Sequence, residues 1–482
     1  MSAVSLAPAS RWRNRLSLCA ILLAVLGGGP VVCCGCRHSG APTSTAPSSY
    51  NIVLIVSDAL RPDHLGCYGY PRATSPNIDR LASEGIRCLQ VISQSSATGA
   101  AHAALLTSRL PTDFGILGNR GTLPEATQSL PKVLRENGYA TAAFVSNPVL
   151  SNKQMPGIER GFQVYDVRLP SSEPNRPVAR RDCKDTNAAA LRWLAKAREP
   201  FFLWVHYIEP HGPYTTSALE KLREFQNDGL AAKQHKTLRA LTRNFGPDGI
   251  PNYQVLPGID DLASYIAHYD ARIWEMDAAV GELLAALRRK GVSERTVVAF
   301  TSDHGEALGE HGYYFQHEND LTEERLRIPL IVRVPDRHRG VKVRAQVQTI
   351  DVMPTLLNCA GLGNRIPPAA QGVPLLAATR GQSVQPPRSV ISAVLTYRPL
   401  RARYSLQYLD WKLIVAQPQE PPRLFYLPSD PGELDNLAPS DPRSVAKFTA
   451  QLVPHFVKQV RPGPPPLDRE TEEALRSLGY LE

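Results

Sequence analysis

Five apolar runs of strand length, separated by segments with helical spacing, restrict this chain more than any other feature. Residues 51–56, 140–145, 200–205, 296–300 and 329–334 are continuous apolar runs rather than alternating ones. Each therefore expects cover on both of its faces. Between them, residues 77–84, 129–137, 186–197 and 265–289 carry helical spacing. In the last of these, Ile273, Met276, Val280, Leu283 and Leu287 recur every three or four residues and mark one buried face. Strands alternating with helices predict an α/β fold, a mostly parallel central sheet sandwiched by helices.

A chain of 482 residues holds one large domain and a smaller one. Hydrophobic content of 43% with 21% charged residues excludes a disordered or fibrous protein. The formal charge of +9 comes without a long Lys/Arg block or a nucleic-acid motif. It is read as surface solvation with no nucleic-acid partner, an anionic substrate being the lesser alternative. Arg11, Arg13 and Arg15 precede an apolar stretch, 16–32, which ends in Cys33-Cys34-Gly35-Cys36. This is an export signal. The stretch is shorter than the roughly 20 residues of a membrane span, and Gly27-Gly28-Gly29-Pro30 breaks a helix within it. Gly35-Cys36 resembles the end of a bacterial lipoprotein signal, so lipid anchoring and plain cleavage stand equal. The expected location is the periplasm or cell envelope, with membrane contact only through an N-terminal anchor.

The expected organisation is a signal over 1–36, a Ser/Thr/Pro-rich tether over 37–49 and a catalytic domain over 50–390. An irregular insert lies at about 215–262, and a small α+β subdomain with a tail covers 391–482. In that subdomain 405–409, 411–415 and 423–427 read as short strands and 444–460 as a final helix. Cys67, Cys88, Cys183 and Cys359 show no zinc-type spacing and are read as small buried residues or one bridge.

In sheets of this kind ligands bind beyond the carboxyl ends of the strands. Asp58, Asn147, His206, His211 and Asp303-His304 all follow predicted strands. Asp303 and His304 pair a hard oxygen with an imidazole nitrogen, Gly305 lets the chain turn there, and Asp58 supplies a third donor. Thr98-Gly99 opens a short apolar helix, 100–106. A hydroxyl there lies at the positive end of the helix dipole, as a nucleophile or merely as an N-cap. His102, four residues on, shares the face of Thr98.

The stretch Ser57-Asp58-Ala59-Leu60-Arg61-Pro62-Asp63-His64-Leu65-Gly66-Cys67-Tyr68-Gly69-Tyr70, with Thr74-Ser75-Pro76-Asn77-Ile78-Asp79, resembles the opening of the sulfatase family of the alkaline phosphatase superfamily. Leu106-Thr107-Ser108-Arg109-Leu110-Pro111 resembles the end of that family's nucleophile motif. Thr301-Ser302-Asp303-His304-Gly305-Glu306, Arg327-Ile328-Pro329-Leu330-Ile331-Val332, Asp351-Val352-Met353-Pro354-Thr355-Leu356 and Asp430-Pro431-Gly432-Glu433…Asn436-Leu437 follow in the family's order. The resemblance covers roughly residues 51–437. It implies a sulfatase-like fold and places the nucleophile position at Thr98.

Where the usual sulfatase carries a Cys or Ser that becomes formylglycine, followed by Pro, Ser and Arg, this chain has Thr98, Ala100, Ala101 and His102. No formylglycine is expected. Related branches of the superfamily use an unmodified Thr, so phosphate esters stand beside sulfate esters as substrate. The resemblance implies a divalent metal held by Asp58, Thr98, Asp303 and His304. Ala59 stands where many sulfatases have a second Asp, which favours zinc or manganese over calcium. His317 stands where a sulfatase usually carries Lys. His102, His211 and His317 are the groups expected to stabilise negative charge or protonate the leaving group. The expected activity is metal-dependent hydrolysis of sulfate or phosphate esters through a covalent Thr98 ester. An envelope phosphotransferase and a degenerate sulfatase-like binding protein are the alternatives.

Overall fold

The structure, a computed structural model, describes residues 50–169, 171–173, 176–335, 339–375, 387–397, 400–418, 420–457 and 469–480. The export signal and the tether read from residues 1–49 lie outside the described residues. Among the described residues no helix is long and apolar enough to cross a membrane.

Eight strands form the main sheet, in the order Val341–Gln348, Ile86–Ile92, Leu330–Arg333, Thr296–Ser302, Asn51–Asp58, Phe201–Pro210, Ala140–Val145, Val164–Asp166. Leu330–Arg333 is antiparallel to both neighbours, and every other pairing is parallel. The apolar runs are continuous because both faces of the sheet are covered. Ile52, Leu54 and Val56 enter one core cluster, while Val53 and Ile55 enter the other, on the opposite face. The long helix Leu262–Arg289 covers the second face with Ile273, Met276, Val280, Leu283 and Leu287, all fully or nearly fully buried. Its first turn is fixed by Asp261, whose side chain accepts the Ser264 N–H at 3.0 Å.

A four-stranded antiparallel sheet follows: Val390–Tyr397, Leu400–Tyr408, Trp411–Gln417 and Arg423–Tyr426. The helix Pro442–Leu452 packs Phe448 and Leu452 against Tyr404, Leu406 and Leu413 of that sheet. The final helix read over 444–460 therefore ends early. Pro454 cannot continue a helix, and Val453–His455 is a single 3-10 turn. A further helix, Arg469–Ser477, lies beyond it. Cys67, Cys88, Cys183 and Cys359 are all free thiols, three of them buried.

The register of the central strands sets the site. Ser57 lies opposite Ser302 on one side and opposite Tyr207 on the other. Asp58 and Asp303 are thus brought to one level at the carboxyl ends of adjacent strands. Val145 lies opposite His206, so Asn147 emerges at the same edge.

Candidate active site

Thr98 is the first residue of the helix Thr98–Thr107, and the N-cap position is held by Ala97, which makes no side-chain cap. The threonine hydroxyl is therefore not spent on capping. It sits 3.2 Å from His304 Nε2. Gly99 is required beside it: a Cβ there would meet the Gly118 carbonyl oxygen at 2.9 Å and Asn119 Cα at 3.0 Å. The Gly99 N–H donates instead to Asn119 Oδ1 at 2.8 Å, anchoring the helix start.

Two carboxylates approach the same His304 Nε2 from the strand ends, Asp58 Oδ1 at 3.7 Å and Asp303 Oδ2 at 3.5 Å. Asp303 Oδ1 accepts the His304 N–H at 2.8 Å and the Ala59 N–H at 3.2 Å. Ala59 holds a left-handed φ of 58° to deliver that bond. Asp58 Oδ2 accepts Asn147 Nδ2–H at 2.6 Å. The remaining oxygens, Asp58 Oδ1 and Asp303 Oδ2, are buried without a hydrogen-bond partner. Burial, and next the neighbouring Asp303, push the Asp58 carboxyl well above the usual carboxylate range. Burial acts on Asp303 in the same sense, but His304, His102 and His206 outweigh it and hold that carboxyl low.

The histidines divide into two groups. His304 donates Nδ1–H to the Gly305 carbonyl at 2.9 Å, His102 to the Thr98 carbonyl at 2.8 Å, and His211 to the Gly212 carbonyl at 2.7 Å. Each bond fixes the tautomer with an unprotonated Nε2. Burial, ahead of every other cause, lowers the pKa of all three. His206, its pKa pushed down to about 3 by burial and then by His102, has no hydrogen-bond partner on either ring nitrogen. His317 is the exception. Burial works against its charge, yet the Glu306 carboxylate 3.0 Å away, with Glu318 on the other nitrogen, holds it well above the ordinary histidine range. Its ring lies 4.3 Å from that of His304.

Of the three sets of donor atoms among the described residues that lie close enough to share an ion, two are at this site: Asp58, Asp303 and His304, and His102, His206 and Asp303. His206 Nε2 is 3.6 Å from Asp58 Oδ2, and His102 Nδ1 is 3.7 Å from Asp303 Oδ2. Buried carboxylate oxygens and imidazole nitrogens without partners are the donor chemistry a divalent cation takes. The candidates read from the sequence therefore assemble in one place, in two flanks. His102 stacks near His206, ring centroids 5.0 Å apart, on the side of Asp303. His211 and His317 stand together with a 5.0 Å ring separation.

The sequence did not point to Tyr480. Its phenol oxygen accepts Asn147 Nδ2–H at 2.6 Å and lies beside the Thr98 side chain. Its ring lies 5.2 Å from that of His211. Glu306 was likewise read only as part of a motif, although its contact with His317 sets the charge there. A Gly-Tyr pair just beyond an amphipathic helix was the one local signal for the tail.

Comparison with known proteins bears on the family and the fold. Residues 50–362 match the family model described as Sulfatase, and residues 309–460 match that described as N-sulphoglucosamine sulphohydrolase, C-terminal. Iduronate 2-sulfatase of Mus musculus is 28% identical over 366 residues, an alignment spanning 63% of this chain and 63% of that protein. A solved structure in complex with its substrate D-glucosamine-2-N,6-O-disulfate superposes with a TM-score of 0.67 at 20% identity, covering 89% of this chain and 98% of the other. The phosphonate monoester hydrolase of Agrobacterium radiobacter superposes at 0.66 and 19% identity, covering 84% and 95%.

Proposed function

This chain belongs to the sulfatase family, and from that premise we propose that it hydrolyses sulfate or phosphate esters through a covalent ester on Thr98. The observation that carries the reading is the Thr98 hydroxyl, 3.2 Å from a His304 Nε2 that itself lies 3.7 Å and 3.5 Å from the two unpartnered oxygens of Asp58 and Asp303. A family member with no Cys or Ser at this position has no route to formylglycine, because oxidising a threonine at Cβ gives a ketone. The nucleophile in this reading is the unmodified hydroxyl.

Asp58, Asp303, His304 and the Thr98 hydroxyl are the groups that would hold the divalent cation, with His102 and His206 as further nitrogen donors. When bound, such an ion lowers the pKa of the hydroxyl and draws charge from the ester oxygens. Imidazole donors favour zinc or manganese over calcium. Thr98 Oγ, having released its proton to solvent, attacks sulfur or phosphorus, and the bond to the leaving oxygen breaks as the new one forms. His317, kept charged by Glu306, supplies the proton to that leaving oxygen, and His211 borders the same space. Water then releases the group and restores Thr98. The disulfated sugar and the phosphonate monoester named for the two solved relatives are both anionic tetrahedral esters, which supports that substrate class. Export to the periplasm or envelope, read from residues 1–36, completes the proposal.

A panel of aryl sulfates, phosphate monoesters and phosphate diesters, each with zinc, manganese and calcium, tests it. The expected result is turnover of at least one class, lowered by about 10⁴-fold or more in Thr98→Ala. Full turnover by Thr98→Ala would remove the assignment.

A further inference from the structure

The C-terminal segment reaches the nucleophile. Leu475, Leu478 and Tyr480 bury against Val149 and Ile208 in a small apolar cluster of their own. Val149 lies two residues beyond Asn147, and Ile208 sits near the carboxyl end of the strand Phe201–Pro210. The helix Arg469–Ser477 is thereby docked on the strand ends that carry the site. Its end is closed by Gly479 in the left-handed region at φ +85°, with Tyr480 N–H returning to the Leu475 carbonyl at 2.9 Å. A side chain at Gly479 would also meet the Tyr253 ring at 2.6 Å. Both constraints fix the direction in which Tyr480 leaves the helix, which is into the site.

Three contacts define where the phenol stops. Asn147 Nδ2 donates to the Tyr480 oxygen at 2.6 Å and also to Asp58 Oδ2 at 2.6 Å, tying the phenol to a carboxylate of the site. The Thr98 side chain lies beside the same phenol oxygen. The ring rests 5.2 Å from His211 and 6.3 Å from His317, the two histidines on the leaving-group flank. A group carried on Thr98 Oγ must place its free oxygens around that atom, and a phenol beside Thr98 is within reach of one of them. A hydroxyl held in place before the reaction needs no reorganisation to bind an oxygen whose charge grows during transfer.

We propose that Tyr480 is a catalytic residue, its phenol O–H donating a hydrogen bond to a non-bridging oxygen of the group transferred to Thr98. Tyr480 keeps its proton throughout, and no bond to it forms or breaks. Asn147 is its positioning residue. The chain thus completes its own active site with its C-terminal segment, which lies beyond the residues matched by both family models. The inference rests on Thr98 as the nucleophile.

The test is steady-state kinetics of the full-length, metal-loaded protein and its Tyr480→Phe, Tyr480→Ala and Thr98→Ala variants on the best ester of the panel. Tyr480→Phe keeps the ring packing and is expected to melt with the wild type. Its kcat is expected to fall about 10²-fold, the usual cost of one such donor, with KM nearly unchanged. Tyr480→Ala is expected to be at least as impaired. A Tyr480→Phe variant with wild-type kcat overturns the proposal and leaves Thr98 standing, provided that Thr98→Ala is inactive. A gain of turnover in Tyr480→Ala also overturns it, because the segment would then be a plug. Full activity of Thr98→Ala strikes the underlying reading instead.

Discussion

At the scale of single residues, charge placement separates the two sides of the site. On one side, burial lowers the pKa of His304, His102 and His206, whose rings stand beside Asp58 and Asp303. On the other side, burial works against the charge of His317, but Glu306 and Glu318 outweigh it and raise its pKa. In the proposed mechanism a positive charge there takes the part that the resemblance gives to the Lys usual in sulfatases. His317→Gln is therefore expected to lower kcat about 10²-fold, and His317→Lys to recover part of the loss. Steady-state turnover on one ester compares them, and equal activity in the two variants would deny the charge a role. Much of this detail was readable from sequence. Asp58, Asp303 and His304 end strands, and Thr98 opens a helix, so local pattern locates them. The state of His317 was not readable, because it depends on Glu306 folding back across eleven positions of chain to reach it.

At the scale of elements, parallel strands in register do the assembling. Asp58 and Asp303 meet because Ser57 lies opposite Ser302, and Asn147 joins them because Val145 lies opposite His206. This convergence places two buried carboxylates side by side, which costs stability unless a cation compensates them. Removing metal with a chelator is thus expected to abolish turnover and to lower the melting temperature. Saturating zinc or manganese at about 100 times Kd should restore about 2.7 kcal/mol of stability, with calcium less effective. Differential scanning calorimetry with metal analysis of the same samples reads both effects. The helix start at Gly99 and the strand ends were legible as a fold pattern. The docking of Arg469–Ser477 was not, since an exposed amphipathic helix carries no address for the surface that receives it.

At the scale of the whole molecule, the C-terminal sheet holds the loop that carries His317. Arg423 pairs with Asp320 through both guanidinium nitrogens, Nη2 at 2.5 Å and Nη1 at 2.9 Å. Lys412 reaches Glu323 at 2.9 Å, and Arg403 donates to the Asn319 carbonyl. These clamps explain why an α+β appendage belongs to a hydrolytic domain: it fixes residues 319–323, just beyond His317. Burial alone would raise the Asp320 pKa, but Arg423 outweighs it and holds the carboxyl well below the usual range. A depressed carboxyl contributes stability that is complete above the unfolded value of about 4 and is lost as pH falls below it. Arg423→Gln is expected to cost about 1.5–3 kcal/mol at neutral pH, the worth of a charged hydrogen-bonded pair. It should also show a shallower fall in melting temperature than the wild type between about pH 4 and pH 2, the span over which the unfolded carboxylate protonates. Parallel acid slopes would show that the pair contributes nothing. The texture of short strands after about residue 390 announced this unit, whereas its grip on the His317 loop rests on contacts across roughly one hundred residues.

All three scales meet at one atom, Thr98 Oγ. Rapid acid quench of the enzyme turning over its best ester, followed by peptide mass spectrometry, examines that atom directly. The account predicts a fraction of the Thr98 peptide carrying one sulfo or phospho group on threonine, and none in Thr98→Ala. An adduct on another residue, or turnover without any adduct that persists in Thr98→Ala, would contradict it.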